Sequence, residues 1–234
     1  MHVVYFLTYG YSLKTWQDSG NLDRELKFME YLNKNFNHTF TLITYGDEDD
    51  KLMMSEYEYI KVLPAYSYTK KSSINLINYF TSLKIPFSIK KLVGNFDLIQ
   101  QNQLHGSWIS ILFKLLTKKP LYTRTGYDMY LFSIFEKKKI YKRYLYYILT
   151  QITIFFTNSY SVTSLNDLEF LKSNFRLNQK KLSLIRNWIE ISNDINLDNR
   201  HKKELLCVGR LEYQKNYEYL INSFSDSEFK IVIY

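Results

Sequence analysis

Two cations lie beside a glycine turn late in the sequence. The apolar run 205–208 predicts a strand, Gly209 and Arg210 follow it, and Lys215 and Asn216 come before an apolar helix pattern. Ligands of open α/β sheets bind at the carboxyl ends of strands, and a helix start adds unpaired N–H groups with partial positive charge. These residues therefore predict a site for an anion such as a diphosphate. The simpler alternative is an ordinary strand-to-helix turn with a solvated Lys215.

A loop rich in glycine and hydroxyl groups follows the first predicted strand. Its residues of interest are Gly10, Ser12, Thr15, Trp16 and Gly20. Glycines let the backbone approach a ligand closely, and an aromatic face packs well on the C–H surface of a ring. The loop is a candidate ligand contact, whereas Trp16 serves equally well as a packing anchor. The glycine spacing is not the G-x-G-x-x-G of dinucleotide sites.

A third polar group ends the predicted strand 121–124. Arg124 can hold a phosphate or a carboxylate through two N–H groups, and Tyr127 and Asp128 follow it. Asp128 can accept hydrogen bonds from hydroxyl groups, but capping the next helix is its simpler role.

His105 is the candidate catalytic contact. Among the 4 histidines, it alone falls in a strand-to-helix loop on the predicted ligand edge. The alternative is a histidine near a helix start that is satisfied by backbone groups. No Ser-His-Asp order, paired carboxylates or metal-ligand spacing accompanies it, so no metal site is predicted.

Strand and helix patterns alternate along most of the chain. Strands are predicted at 3–9, 40–45, 58–63, 96–100, 121–124, 152–157 and 182–185, with a short edge at 162–164. Helices are predicted between them, including one to residue 36, one interrupted near Pro86, and one at 165–174 that Ser164 caps. This alternation predicts an α/β fold with a doubly wound, Rossmann-like parallel sheet. We assign 1–187 to this domain, 188–200 to a linker, and 201–234 to the incomplete start of a second Rossmann-like domain.

Composition narrows the classes of function. The 234 residues are 46% hydrophobic, and the net charge of +8 suits nucleic acid, an anionic membrane face or a phosphorylated ligand. The basic residues are dispersed apart from a cluster at 137–139, and no RNA-binding aromatic signature accompanies them, so nucleic acid is not an expected partner. The cluster is either a solvated helix face or a membrane-surface patch. A single cysteine, Cys207, excludes a disulfide framework and favours a cytoplasmic protein, with peripheral contact to the inner membrane face left open.

The 209–216 run resembles the Gly-Arg-Leu-x-x-x-Lys-Asn stretch of glycosyltransferase family 4, whose members have two facing Rossmann-like domains, the GT-B fold. Residues 185–190 resemble the family's interdomain Pro-Asn-Gly-Val-Asp stretch. Asn187 matches and Glu190 takes the acidic place, whereas Arg186 and Trp188 replace the Pro and Gly. The histidine that many members carry near the Arg124 strand end is replaced by Thr125 and Gly126.

The resemblance implies transfer of a sugar, with retention of configuration, from a nucleotide-sugar such as a UDP- or GDP-sugar to a hydroxyl of a glycan or lipid-linked acceptor. No metal or other cofactor is implied. Arg210 and Lys215 would contact the donor diphosphate, and the loop after the first strand would lie beside the acceptor and the donor phosphates. Polysaccharide or cell-envelope glycan synthesis is the usual setting. The family's pair of donor-binding glutamates does not occur before residue 234, so we expect a fragment with little transferase activity alone. The alternative is a non-catalytic basic Rossmann-like module that binds an anionic membrane surface or a glycan.

Overall fold

The computed structural model describes residues 1–176, 178–189, 203–209, 211–212 and 215–234. The chain divides into two compact units, Met1–Ile189 and Glu190–Tyr234. Most of the predicted linker, residues 190–200, lies outside the described residues.

A parallel sheet forms the centre of the first unit. Its strands are β1 (His2–Phe6), β2 (Thr39–Thr44), β3 (Ile60–Pro64), β4 (Leu98–Asn102), β5 (Leu121–Thr125), β6 (Ser159–Val162) and β7 (Leu182–Leu184). In the described part of the chain these 7 strands lie in the order β3-β2-β1-β4-β5-β6-β7, all parallel. The order reverses between β1 and β4, where open α/β sheets leave a crevice at their carboxyl edge.

Helices connect successive strands. They are α1 (Leu13–Asp18), α2 (Leu22–Phe36), α3 (Asp49–Met53), α4 (Asn75–Ser82), α5 (Ile85–Val93), α6 (Ser107–Thr117), α7 (Met129–Phe135), α8 (Ile140–Phe156) and α9 (Leu165–Asn174). Pro86 lies in the first turn of α5, where the missing N–H of proline costs nothing, so the predicted interruption is a boundary between two helices.

Two hydrophobic clusters cover opposite faces of the sheet. Successive side chains of a strand point to opposite faces. Accordingly, Val4 packs with Ile89 of α5 and Phe113 of α6, whereas Val3 packs with Trp16 of α1 and Met29 of α2. A third cluster joins α8 and α9 to β6 and β7. The predicted doubly wound α/β sheet is confirmed.

The prediction of a strand at 152–157 was wrong. Helix α8 continues to Phe156 and buries Thr150, Thr153 and Ile154, which lie on one helical face. A short run of β-branched and aromatic residues fits a buried helix as well as a strand, and packing decided in favour of the helix. The strand is β6 instead, and it lies between β5 and β7, so the predicted short edge at 162–164 was also wrong. Ser164 accepts a hydrogen bond from the Asp167 N–H at 3.1 Å, as its predicted role as a cap requires.

The second unit contains β8 (Glu204–Cys207), α10 (Tyr217–Ser223) and β9 (Lys230–Ile233). The two strands pair in parallel, which confirms the predicted strand, helix and strand. Leu206 and Tyr219 are exposed in this unit, and no side chain of α10 is buried.

Candidate active site

The loops after β1 and β4 meet at the point where the strand order reverses. The Tyr9 N–H donates to the His105 carbonyl at 2.9 Å. Gly106, with φ +104°, lets the two loops approach, because a Cβ there would lie 3.0 Å from the Cβ of Tyr9. His105 and Gly10, predicted separately from the sequence, therefore lie at one edge of the sheet.

Aromatic rings surround His105. Its ring centroid lies 5.4 Å from that of Tyr9 and 5.2 Å from that of Trp108. The His105 Nε2 lies 3.3 Å from the Tyr79 hydroxyl, and the ring also contacts the backbone of Tyr9, as the alternative of a histidine satisfied by backbone groups predicts. Burial lowers the pKa of His105, whereas its contact with the backbone at Tyr9 opposes that shift. A neutral imidazole at neutral pH can accept or donate a hydrogen bond without adding charge.

A pocket of about 380 Å³ opens beside this histidine. Its lining combines aromatic rings with amide, ammonium and imidazole groups, from Tyr9, Gly10, Tyr66, Lys71, Asn75, Asn78, Tyr79 and His105. The Lys71 Nζ lies 5.1 Å from the ring centroid of Tyr66. Such a lining suits a polyhydroxylated ring, because the aromatic faces pack on C–H groups while the polar groups bind hydroxyls.

The loop after β1 is more structured than the sequence predicted. Ser12 caps α1, and its Oγ accepts the Thr15 N–H at 3.1 Å. Trp16 is 3% exposed and meets the Tyr5 ring edge-on at a centroid distance of 5.8 Å. Of the two roles predicted for Trp16, the structure shows the packing anchor, because its side chain is buried in the core. Gly10 and Gly20 have φ +87° and +69°, conformations that favour glycine.

Arg124 binds a carboxylate of its own chain. Its Nη1 donates to both carboxylate oxygens of Glu25 at 3.3 Å, and its Nη2 donates to the Asn187 Oδ1 at 2.8 Å. The Tyr5 hydroxyl also donates to Glu25, at 3.3 Å. Arg124 thus holds a carboxylate, one of the two anions predicted for it, but this carboxylate belongs to α2 of its own chain rather than to a ligand. The sequence contained Glu25 but no local signal that it would pair with a residue so distant in the chain.

Asp128 caps α7, which confirms the simpler of its two predicted roles. Its Oδ1 accepts the Leu131 N–H at 2.7 Å, and within the described part of the chain its buried Oδ2 has no hydrogen-bond partner. Burial raises the pKa of Asp128 to about 6. Tyr127, in contrast, is half exposed, and Gly126 donates its N–H to the Gln103 Oε1 at 3.0 Å. Gln103 had no predicted role, although its side chain joins the edges of β4 and β5.

The second unit holds part of the predicted anion site. The Tyr217 hydroxyl donates to the Gly209 carbonyl at 3.0 Å, and the Lys215 side chain runs close beside Gly209. Lys215 and Asn216 line a pocket of about 400 Å³ with Cys207, Val208, Tyr217, Tyr219 and Leu220. Helix α10 begins two residues after Lys215. Arg210 and Glu190, which were also predicted, lie outside the described residues.

Solved structures share the fold of the whole chain. Anabaena HepE in complex with UDP and glucose matches with a TM-score of 0.62 at 12% identity, over 100% of this chain and 60% of that one. The lipopolysaccharide outer core galactosyltransferase WaaB, in its apo form, matches with a TM-score of 0.62 at 14% identity over 100% and 60%. Sucrose-phosphate synthase from Thermosynechococcus elongatus matches with a TM-score of 0.62 at 10% identity over 100% and 62%. The chain has the GT-B fold.

This GT-B chain spans about 60% of the length of the solved structures it matches first. No family model matches its sequence. No curated protein matches it either. The fold class predicted from the alternating elements and the family resemblance is thus confirmed by three-dimensional likeness rather than by sequence similarity.

The described residues lack two further kinds of feature. They contain no group of three or more histidine, cysteine or acidic side chains placed to hold a metal ion. Nor do they contain a helix with the length and apolar character needed to cross a bilayer.

Proposed function

We propose that this chain forms the acceptor side and the first donor-side elements of a retaining family 4 glycosyltransferase that uses a nucleotide-sugar. The observation that carries the proposal is the GT-B likeness over 100% of the chain, shared with HepE in complex with UDP and glucose. The order of the motifs supports it, because the loop after β1, the β5 edge and the 209–216 run occur in the order that the family resemblance implies. The setting we propose is polysaccharide or cell-envelope glycan synthesis in the cytoplasm.

In this proposal the first unit holds the acceptor. The pocket beside His105 is lined by aromatic faces and by Asn75 and Lys71, which suits the ring and hydroxyl groups of a sugar. We assign His105 the role of hydrogen-bonding a sugar hydroxyl while neutral, since burial lowers its pKa. Tyr79 orients the imidazole through its hydroxyl, 3.3 Å from Nε2.

The second unit would hold the donor diphosphate. Transfer joins the acceptor oxygen to the anomeric carbon, breaks the bond from that carbon to the diphosphate, and passes the acceptor proton to the leaving group. Negative charge grows on the diphosphate, so fixed positive charge there stabilises the transition state. We assign that charge to Arg210 and Lys215, with Gly209 and Asn216 beside them, and we propose that the reaction needs no metal or other cofactor.

Donor binding tests this function directly. The 234-residue chain is titrated with UDP, UDP-glucose and GDP-mannose, and binding is followed by calorimetry and by shifts of the thermal midpoint. We expect one nucleotide class to bind and Lys215→Gln to weaken it about tenfold, as loss of one charged contact predicts. Lys230→Gln is the control, because it removes the same charge from an exposed position on β9 of the same unit, where Lys230 pairs with Glu204 at the surface.

Two results would count against the proposal. Equal weakening by Lys215→Gln and Lys230→Gln would show non-specific attraction of anions. Absence of binding by every nucleotide, together with retention of a glycan or an anionic surface, would favour the non-catalytic basic module instead.

A further inference from the structure

Helix α4 has its polar face buried and its apolar face exposed. Its buried side chains are Asn78 and Ser82, whereas Leu76 and Phe80 are 66% and 68% exposed. A surface helix of a globular protein normally directs its apolar stripe at the core. The orientation of α4 is therefore reversed, and it needs an explanation.

Hydrogen bonds hold α4 in this orientation. Asn78 accepts the Ser72 N–H at 2.7 Å and donates to the Ser72 carbonyl at 2.8 Å. Ser82 accepts the Trp108 indole N–H at 2.9 Å. A rotation that buried the apolar side chains would break these bonds, so the exposed apolar face is a built feature of the fold.

The same apolar stripe continues into α5. Residues 76 and 80 are one turn apart in α4, so their side chains lie on one side of that helix, and exposed apolar side chains follow at 83 and 87. Leu83 and Phe87 are 43% and 58% exposed, although α5 buries Ile85 and Ile89 in the core. We name this surface the α4–α5 face, and its apolar members are Ile74, Leu76, Ile77, Phe80, Leu83 and Phe87.

Five lysines without acidic neighbours in sequence lie before, between and at the end of the two helices of this face. Lys70 and Lys71 precede α4, Lys84 lies between the helices, and Lys90 and Lys91 end α5, all of them exposed. The sequence has no aspartate or glutamate between Glu58 and Asp97. Among the described residues, no ion pair to a carboxylate involves any of these five lysines. The exposed charged residues of the segment 70–91 are therefore all positive.

We propose that the α4–α5 face docks on a lipid bilayer that contains anionic phospholipids. Such a surface offers both an apolar interior for Leu76, Phe80 and Phe87 and negative headgroups for the lysines. The helices lie in the interface rather than crossing it, which agrees with their short lengths of 8 and 9 residues.

A second copy of the chain is a poorer partner. Pairing two α4–α5 faces would bury the apolar stripe but bring five lysines of one copy toward five of the other. Like charges at close range oppose association, and this face has no carboxylates to offset them.

Docking also places the pocket beside His105 near the lipid. Tyr79 belongs to α4 and lines that pocket, as does Asn75. If the proposed function is correct, a lipid-linked acceptor reaches the pocket along the membrane surface. The docking itself is tested without donor or acceptor, so its failure and the failure of the proposed function are distinguishable.

Vesicle flotation tests the proposal with the full chain. The vesicles contain phosphatidylcholine alone or phosphatidylcholine with phosphatidylglycerol. We expect binding to the second kind, weakened by salt. The double variant Phe80→Ser/Phe87→Ser should lower the partition coefficient about tenfold or more. The triple variant Lys84→Gln/Lys90→Gln/Lys91→Gln should lower it about fivefold for each lysine removed.

Matched controls come from α7, α8 and the loop between them. Phe135 and Phe155 are 64% and 71% exposed, so Phe135→Ser/Phe155→Ser removes equivalent apolar surface. A triple change of Lys137, Lys138 and Lys139 to Gln removes equal charge from the other candidate membrane patch. Both controls should keep vesicle binding, and unchanged circular dichroism and thermal midpoints should verify that every variant is folded.

Three results would overturn the proposal. The first is vesicle binding that the α4–α5 variants keep. The second is binding that is lost only in the control variants. The third is a wild-type dimer without lipid that Phe80→Ser/Phe87→Ser converts to a monomer, with no vesicle binding by either protein.

Discussion

Arg124 of β5 and Glu25 of α2 form an ion pair beneath α2, although 99 positions separate them in the chain. Their side chains are 13% and 5% exposed. The pair fixes α2 against the carboxyl half of β5, and Arg124 also reaches Asn187 after β7. One guanidinium thus joins three separate segments of the first unit.

Removing the charge of Glu25 should destabilise the protein. Glu25→Gln leaves the Arg124 guanidinium buried without a counter-charge, and we expect a loss of about 3 kcal/mol in the free energy of unfolding, measured in urea. Glu30→Gln is the control on the same helix, because its pair with Lys34 is at the surface and should contribute less than about 0.5 kcal/mol. The double variant Glu25→Gln/Arg124→Gln should lose less stability than the sum of the losses in the two single variants. Additive losses would show that the pair is not coupled.

Gly106→Ala should disrupt the junction of the loops after β1 and β4. The new Cβ would lie 3.0 Å from the Tyr9 Cβ and 3.1 Å from the Tyr9 nitrogen, at φ +104°. We expect a loss of about 2 to 4 kcal/mol, from a positive φ and from overpacking together. Gly20→Ala has φ +69° with nothing within 4 Å, so it should lose only about 1 kcal/mol. Equal losses in the two variants would show that the contact with Tyr9 carries no strain.

Asp128 should make stability fall as pH rises through mildly acid values. Burial raises its pKa to about 6 in the folded protein, against about 3.9 in an unfolded chain. Between these values the folded state keeps a proton that the unfolded state releases, so the free energy of unfolding decreases from about pH 4 to about pH 6 and is then level. Asp128→Asn should match wild type at pH 4 and exceed it by about 2 kcal/mol at pH 7, because the amide oxygen still caps α7.

Unfolding curves from pH 4 to pH 7 measure that difference. Asp18→Asn is the control at an exposed position of α1 and should change the free energy of unfolding by less than about 0.5 kcal/mol. A constant difference between Asp128→Asn and wild type across the range would contradict the role of burial.

His105 should titrate below the ordinary histidine range. Burial lowers its pKa, so its ring Hε1 resonance should move with a midpoint under about 6.5, the unfolded value. Below about pH 6.5 the unfolded chain binds a proton at His105 more readily than the folded protein does. The free energy of unfolding therefore decreases as the pH falls. His105→Gln identifies the resonance and should remove this part of the pH dependence. A midpoint at or above 6.5 would refute a desolvated, neutral ring.

Local sequence patterns predicted most of the fold. Helical and strand periodicity located α2, α6 and α9 and most of the strands, and short polar residues located the caps at Ser164 and Asp128. The same patterns failed at 152–156, because an apolar run of that length fits either element and only its packing against β6 and α9 distinguishes them.

Part of the candidate site could likewise be predicted from the sequence. His105 and Gly10 were found because strand-end loops of a parallel sheet meet at one edge. The aromatic lining from Tyr9 and Tyr79 was missed, since the two residues are distant in sequence and neither belongs to a motif. The role of Trp16 could not be predicted, because the sequence does not show whether a tryptophan in a loop contacts a ligand or packs in the core.

The sequence by itself determined the alternation of elements and the sheet type, because these follow from local spacing and residue chemistry. Only the tertiary structure decided that Arg124 binds Glu25 and that α4 exposes Phe80 while it buries Asn78. A charge can be neutralised by any partner that folding brings near, and a helix can bury either face if hydrogen bonds satisfy the buried groups. Those outcomes depend on contacts between distant segments, which no local pattern contains.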